Sequence, residues 1–510
     1  MIRQTWMLML CATLILSADQ TLLAQKDGGF MKELYRPQIH FTPRAHWMND
    51  PNGLVYYNGV YHLFFQYYPN GSNWGPMHWG HATSRDLMHW KEGPIALYPD
   101  SLGYIFSGSA VVDKENTSGF GKGGKVPLVA IFTQHDTARQ NAHRHDFENQ
   151  SIAYSLDEGR TWTKYAGNPV IKNPGINDFR DPKVMWYAPA RKWILTLAAQ
   201  DRIHFYSSPD LKTWTKESEF GVGVGSHGGV WECPDLFALP VRGDGASSGG
   251  VSSGEHDSVW VLSVNIGWGG PNGGNGDQYF TGKFDGHAFT PDDTAVKWVD
   301  HGRDDYAGVT WSNTGNRRIF LGWMVNGAYA GSVPTEVWRS GMTLPRELSI
   351  DKVNGRYFLV TKPVKELGLL EEGWKNFKGS VKVQAPFEVR LTTEAVGSFK
   401  VVLSNDAGER AVVGFDKGAG QWYVDRRGAG KEDFHKDFAG RHTAARISED
   451  KVLSLTLVVD VASLELFADG GLTVMSELVF PSKPYDKIEV VGENGVMMRA
   501  LQVTKLKGIW

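Results

Sequence analysis

Apolar and polar positions alternate over short distances along this chain. From Tyr35 onward, runs of β-branched and aromatic residues a few positions long are broken by clusters of Gly, Asn, Asp and Pro, and the three-to-four spacing of amphipathic helices is scarce. This pattern predicts a mostly β protein. A weak repeat runs through it: Ser84-Arg85-Asp86-Leu87 followed by Trp90, Ser155-Leu156-Asp157-Glu158-Gly159 followed by Trp162, and Ser208-Pro209-Asp210-Leu211 followed by Trp214. An Asp two residues after a Ser can accept backbone N–H bonds and tie off a hairpin, leaving the Trp to pack between neighbouring sheets. The long period suits four-stranded propeller blades with insertions better than a single sandwich.

The texture changes near residues 359–372. Beyond them, residues 399–404, 421–425 and 454–460 alternate at period two, as expected of an antiparallel sandwich with one wet face per sheet. At the other end, Arg3, an apolar run over residues 6–16 and a more polar stretch to Ala24 read as a secretory signal peptide. No other segment approaches the ~20 apolar residues of a membrane span. The expected division is a signal peptide at 1–24, a propeller at 32–360, a linker at 361–374 and a sandwich at 375–510. Cleavage near Ala24 leaves Cys233 as the one cysteine, so no intramolecular disulfide can form.

Charge narrows the partner. Lys+Arg 53 against Asp+Glu 56 is too balanced for a dedicated binder of nucleic acid or anionic membrane, so an uncharged ligand is expected. Most of the 19 Trp residues are expected to fill β-rich cores, but such flat rings with a polar tip are also platforms for the apolar faces of sugars.

Three carboxylates supply candidate chemistry. Asp50 lies in Trp47-Met48-Asn49-Asp50-Pro51-Asn52-Gly53, where the proline and the Asn-Gly pair point to a strand end presenting an acid at a turn. Asn177-Asp178-Phe179-Arg180-Asp181-Pro182 repeats the Asp-Pro device, with Arg180 placed to hold Asp181 ionised. Trp231-Glu232-Cys233-Pro234-Asp235 sets a Glu between an aromatic ring and a thiol, surroundings expected to raise its pKa as a general acid requires. Singly, each acid is a turn or ion-pair residue. Together, an ionised nucleophile and a protonated acid are the machinery of retaining glycoside hydrolysis.

These blocks, with Phe64-Phe65-Gln66-Tyr67-Tyr68-Pro69 and Phe106-Ser107-Gly108-Ser109, resemble in sequence and order the signature motifs of glycoside hydrolase family 32, the invertases, inulinases and levanases. The similarity runs from about Leu34 to the C-terminus and includes Ser463-Leu464-Glu465-Leu466-Phe467. It implies an all-β fold, a five-bladed β-propeller followed by a C-terminal β-sandwich, and release of terminal β-D-fructofuranosyl units with retention. It also implies Asp50 as nucleophile, Glu232 as acid/base and Asp181 as transition-state stabiliser. Trp47, Asn49, Gln66, Trp74, Phe106, Ser107, Arg180 and Trp311 match positions that line the fructose subsite in relatives. Asp305-Tyr306-Ala307 and Ser340-Gly341 depart slightly from the family pattern.

Other signals carry less. Gly267-Trp268-Gly269-Gly270-Pro271-Asn272-Gly273-Gly274-Asn275-Gly276 lacks the Lys-Ser/Thr of a phosphate cradle and reads as a flexible loop at the pocket mouth. His135, His143 and His145 lie near Asp136 and Asp146 without metal-ligand spacing, so neither a metal nor another cofactor is expected. The expected partner is a fructose-containing oligo- or polysaccharide. An inverting pentose-polymer hydrolase and a non-catalytic carbohydrate-binding protein stand as alternatives.

Overall fold

The computed structural model describes residues 31–242, 258–493 and 495–510, so the expected signal peptide and nearly all of the Gly/Ser-rich segment at 242–254 lie outside the described residues. Five of its sheets are blades built as successive antiparallel strands. Blade 1 comprises His46–Tyr57, Val60–Tyr68, His78–Ser84 and Trp90–Glu92; blade 2 comprises Tyr104–Val112, Leu128–His135, Glu148–Ser155 and Thr163–Lys164. Phe179–Tyr187, Lys192–Ala199, Ile203–Ser208 and Thr215–Phe220 form blade 3. Blade 4 runs through Trp231–Pro240, Ser258–Ile266, Gly276–Phe284 and Phe289–Pro291, and blade 5 through Tyr306–Thr310, Ile319–Trp323, Arg346–Val353 and Arg356–Pro363. Trp338–Arg339, from the blade 5 region, pairs in parallel with the first strand of blade 1 and closes the ring.

Each pair of neighbouring blades shares a wedge of apolar side chains. Phe64, Trp79 and Phe132 lie between blades 1 and 2, Val129, Phe179 and Leu195 between 2 and 3, and Phe205, Trp231 and Phe280 between 3 and 4. Phe237, Tyr279 and Phe320 join blade 4 to blade 5, while Phe65, Trp90 and Trp311 complete the circle. Full burial of side chains this large contributes ~1.5–3 kcal/mol each, so the ring is held by its wedges.

The Ser-x-Asp repeats occupy the turns between third and fourth strands of blades 1 to 3. Asp86 accepts from the N–H groups of Met88 and His89, Asp157 from that of Thr161, and Asp210 from those of Lys212 and Thr213. In blade 4 the equivalent turn keeps only the acid, Asp285, bonded to the N–H groups of His287 and Ala288. Blade 5 uses an Asn354-Gly355 hairpin with both residues at positive φ, the geometry its strand twist favours.

The last blade strand extends to Pro363, inside the span expected as linker, and a 3-10 turn at Lys365–Leu370 leads to two six-stranded antiparallel sheets. Their core is separate from the propeller's and includes Leu391, Val413, Trp422 and Leu466. Between the domains lies a seam of buried charge. His40 sits between Asp460 and Glu465, at 2.7 Å from each, and Arg346 donates to Glu465 (2.5 and 3.1 Å) and Asp300 (2.9 Å). Nearby, Arg426 of the sandwich meets Asp304 of the propeller at 2.5 Å. Glu465 is the central residue of the Ser463–Ala468 strand, whose motif is thus an interdomain device.

Candidate active site

The first strand of every blade lines the propeller axis, and each carries an extra residue within one position of the same place, blade 1 having a second between Asn52 and Val55. In blade 1, Met48 pairs with Tyr67 and Pro51 with Phe65, three residues facing two. The same step separates Ile105 from Gly108, Arg180 from Lys183, Glu232 from Asp235 and Tyr306 from Val309. Such a bulge breaks the ladder and re-aims the side chains beside it. Proline and glycine tolerate the break best, and the residues that follow are Pro51, Gly108, Pro182, Pro234 and Gly308. Asp181, Cys233 and Ala307 adopt φ of 66°, 42° and 54°, so the local strain is built in where side chains are redirected.

The repeated bulge yields two rings of residues. The inner ring is Asp50, Ser107, Asp181, Cys233 and Ala307. Ser107 Oγ donates to Asp50 Oδ2 at 2.6 Å, and the Cys233 thiol lies 3.8 Å from Asp50 Oδ2 and 3.7 Å from Asp181 Oδ2. The Cys233 N–H also donates to Asp181 at 3.0 Å. The outer ring is Asn49, Phe106, Arg180, Glu232 and Tyr306. Arg180 donates twice to Glu232 Oε1, at 2.9 and 3.1 Å, and the Tyr306 hydroxyl donates to Glu232 Oε2. Asn49 donates to Asp50 Oδ1 at 3.0 Å and accepts from Trp47 Nε1 at 2.8 Å.

Two expectations, one electrostatic and one of placement, are corrected by this arrangement. Arg180 does not serve Asp181: its guanidinium reaches Glu232, Asp178 and Glu148, because adjacent positions on the bulge point into different rings. Burial therefore pushes the Asp181 carboxyl up to about 8, against the charge of Arg180 and with help from Glu232 and Asp50. Nor does Glu232 lie against the ring of Trp231. Trp231 points away into the blade 3/4 wedge, and the Glu232 carboxyl meets Arg180 and Tyr306 instead. Burial also raises the Asp50 carboxyl above its usual range; the Ser107 bond opposes this and the Glu232 charge adds to it. The Cys233 thiol is pushed well up by burial and then by the surrounding carboxylates, and it donates toward Asp181 and Asp50.

The remaining predicted residues divide. Phe106 is half-buried, with its ring stacked 4.3 Å from that of His135, and exposed Trp74 stands edge-on to it at 6.1 Å. Trp47 is buried against Trp323 at 6.0 Å. Gln66 is also buried and donates to Asn52 at 2.9 Å, which places it behind the motif strand. Trp311 is corrected from pocket wall to wedge: it is fully buried, donates to the His62 carbonyl and stacks on Trp90 at 6.2 Å. The histidine cluster is dispersed into other roles. Among them, His135 supports Phe106 and bonds Glu148, while Asp136 caps the short helix Thr137–Asn141 and Asp146 pairs with Arg139 and Arg144.

Tyr306 and Glu148 are absent from the residues singled out by sequence. Glu148 anchors Arg180 from behind at 3.2 Å and accepts the Phe179 N–H at 2.7 Å. Burial opposes its ionisation, yet the charge of Arg180 and the bond to His135 prevail and lower its pKa. For Tyr306 the signal exists: two residues and then Pro or Gly, at the head of each blade, align Tyr306 with Glu232, Arg180 and Asn49.

A partly exposed cluster on the first strands of the blades, its acids outnumbering its cations and ringed by donors, is the site of a carboxylate-dependent glycosidase. The comparisons agree, and the chain belongs to glycosyl hydrolase family 32: residues 40–363 match the family's N-terminal domain and residues 360–507 its C-terminal domain. It is 46% identical to a levanase of Bacillus subtilis (strain 168) over 99% of this chain and 74% of that one. An extracellular exo-inulinase of Aspergillus niger is 39% identical over 90% of this chain and 92% of its own. Among solved structures, an exo-inulinase from Aspergillus awamori superposes with a TM-score of 0.85 at 36% identity, covering 94% of this chain and 100% of that one. A β-fructofuranosidase from Schwanniomyces occidentalis complexed with fructosyl-erythritol gives 0.83 at 32%, covering 94% and 99%.

Proposed function

We propose that the chain is an exported β-fructosidase that releases terminal β-D-fructofuranosyl units from levan or inulin, and from sucrose, with retention. The observation that carries this reading is the pairing of a donor-clamped Asp50 in the inner ring with Glu232 in the outer ring, beside a ring-lined opening. Asp50 attacks the anomeric carbon as Glu232 protonates the leaving oxygen. Water, deprotonated by Glu232, then releases fructose. Bonds from Ser107 and Asn49 favour the ionised Asp50 that attack requires, against its burial. Asp181 accepts the hydroxyls of the bound fructose, which replace the water its burial excludes and restore its charge. An excess of acids over Arg180 suits an oxocarbenium-like transition state.

Export rests on the residue 1–24 pattern and on relatives named extracellular; among the described residues no helix is long and apolar enough to cross a membrane. Family membership disfavours the pentose-polymer and non-catalytic alternatives. Incubation with levan, inulin and sucrose, with chromatography and NMR of the first product, tests the reading. Fructose alone, first appearing as the β-anomer, is the expected result. A ladder of oligomers would overturn the exo assignment, and an inverted first anomer the mechanism.

A further inference from the structure

Next to Glu232, the glycine-rich loop at 267–276 presents one large side chain to solvent. Gly267 lies so close to the site that a Cβ there would stand 3.8 Å from Glu232 Oε2 and 3.7 Å from the Tyr306 hydroxyl. The next residue, Trp268, is 54% exposed. The loop, expected from its glycine content to be flexible, is tied on two sides. On one side it abuts residues 228–229, where an added Cβ would come within 2.5 Å of the Trp268 carbonyl or 2.6 Å of its N–H nitrogen. Elsewhere Asn272 exchanges hydrogen bonds with Thr443 of the sandwich (3.0 Å each way) and donates to the His301 carbonyl, while Asn275 ties the loop to Asp305 and Gly327. The glycines allow close backbone packing on both sides, and the contacts leave an indole standing in water on a rigid support.

We propose that Trp268 is the platform for the sugar unit on the leaving-group side of the scissile bond, a fructosyl unit when the substrate is a fructan. This rests on the functional reading above. Glu232 protonates the bridging oxygen, so the departing unit must leave past Glu232, where Gly267 lies, with the exposed Trp268 next to it in the loop. A side chain at position 267 would narrow that passage, and glycine keeps it open. The apolar face of a furanose ring covers indole surface otherwise wetted, and because the loop is already fixed, binding orders little of the protein.

The test uses the full chain with Trp268→Ala and Trp268→Phe. KM and kcat are measured on a levan or inulin tetrasaccharide, together with the inhibition constant of free fructose, which needs only the pocket around Asp50. The Ala variant is expected to raise KM by ~3–10-fold, the worth of one aromatic contact, with fructose inhibition unchanged and the Phe variant restoring most of the loss. An unchanged KM, or a KM and fructose inhibition that shift together, would overturn the inference while leaving the functional reading intact. A wild-type chain that frees no fructose would overturn that reading, and this one with it.

Discussion

At the seam between the domains, two buried carboxylates have cations of their own: Glu465 is held by Arg346 and His40, and Asp304 by Arg426. Arg346 and Arg426 are both raised, and Glu465 is lowered despite its burial. In the catalytic pocket, acids of the same type crowd together, the guanidinium of Arg180 goes to Glu232, and Asp50 and Asp181 are raised instead. One fold thus contains two treatments of a buried acid. Pairing fixes charge and joins domains; crowding leaves protons movable and stores strain.

The largest effect that separates the two is on activity. Asp50→Asn should lower kcat by on the order of 10⁴–10⁶ while thermal stability holds or rises, because a crowded carboxylate is replaced by a neutral amide. A fall in melting temperature alongside activity would show that the pocket acids are structural after all. The reverse is expected at the seam. Glu465→Ala removes one of the two carboxylates that hold each of Arg346 and His40, and urea unfolding should lose about 3–5 kcal/mol with kcat per folded molecule unchanged.

The seam also carries a pH signature. Burial opposes a charge on His40, but Asp460 and Glu465 outweigh it and raise the imidazole from 6.5 to about 9. The folded chain therefore binds the proton more tightly than the unfolded one. The resulting stabilisation, about 3 kcal/mol, is complete below about pH 6.5 and is lost as pH rises toward 9. Urea midpoints from pH 6 to 9.5 should fall in the wild type more steeply than in His40→Gln, and parallel slopes would refute the assignment. The smallest effect returns to the pocket. Tyr306→Phe removes one donor to Glu232 and should cost ~10–100-fold in kcat, with a displaced pH–rate profile. An unchanged profile would make Tyr306 a wall residue only.

Much of this was readable in advance. The Ser-x-Asp turns follow from local chemistry, as one carboxylate within reach of two backbone N–H groups folds its turn wherever it occurs; the copies fade in blades 4 and 5 because Asp285 lacks the preceding Ser and Asn354-Gly355 replaces the motif. The bulge residues were visible as Asp-Pro and Cys-Pro pairs, although their Gly counterparts in blades 2 and 5 concealed the fivefold pattern. Trp311 misled, since a Trp in a motif has the same letter whether it faces sugar or a neighbouring blade.

Sequence alone singled out the type of fold, the family and three candidate carboxylates, all of which depend on short-range patterns. Only the tertiary structure decided which acid Arg180 serves, why Tyr306 belongs with Glu232, that Glu465 binds the domains together and that the glycine loop is pinned. These depend on residues 30 to 425 positions apart, brought together by ring closure and burial, and burial sets how strongly each charge is felt.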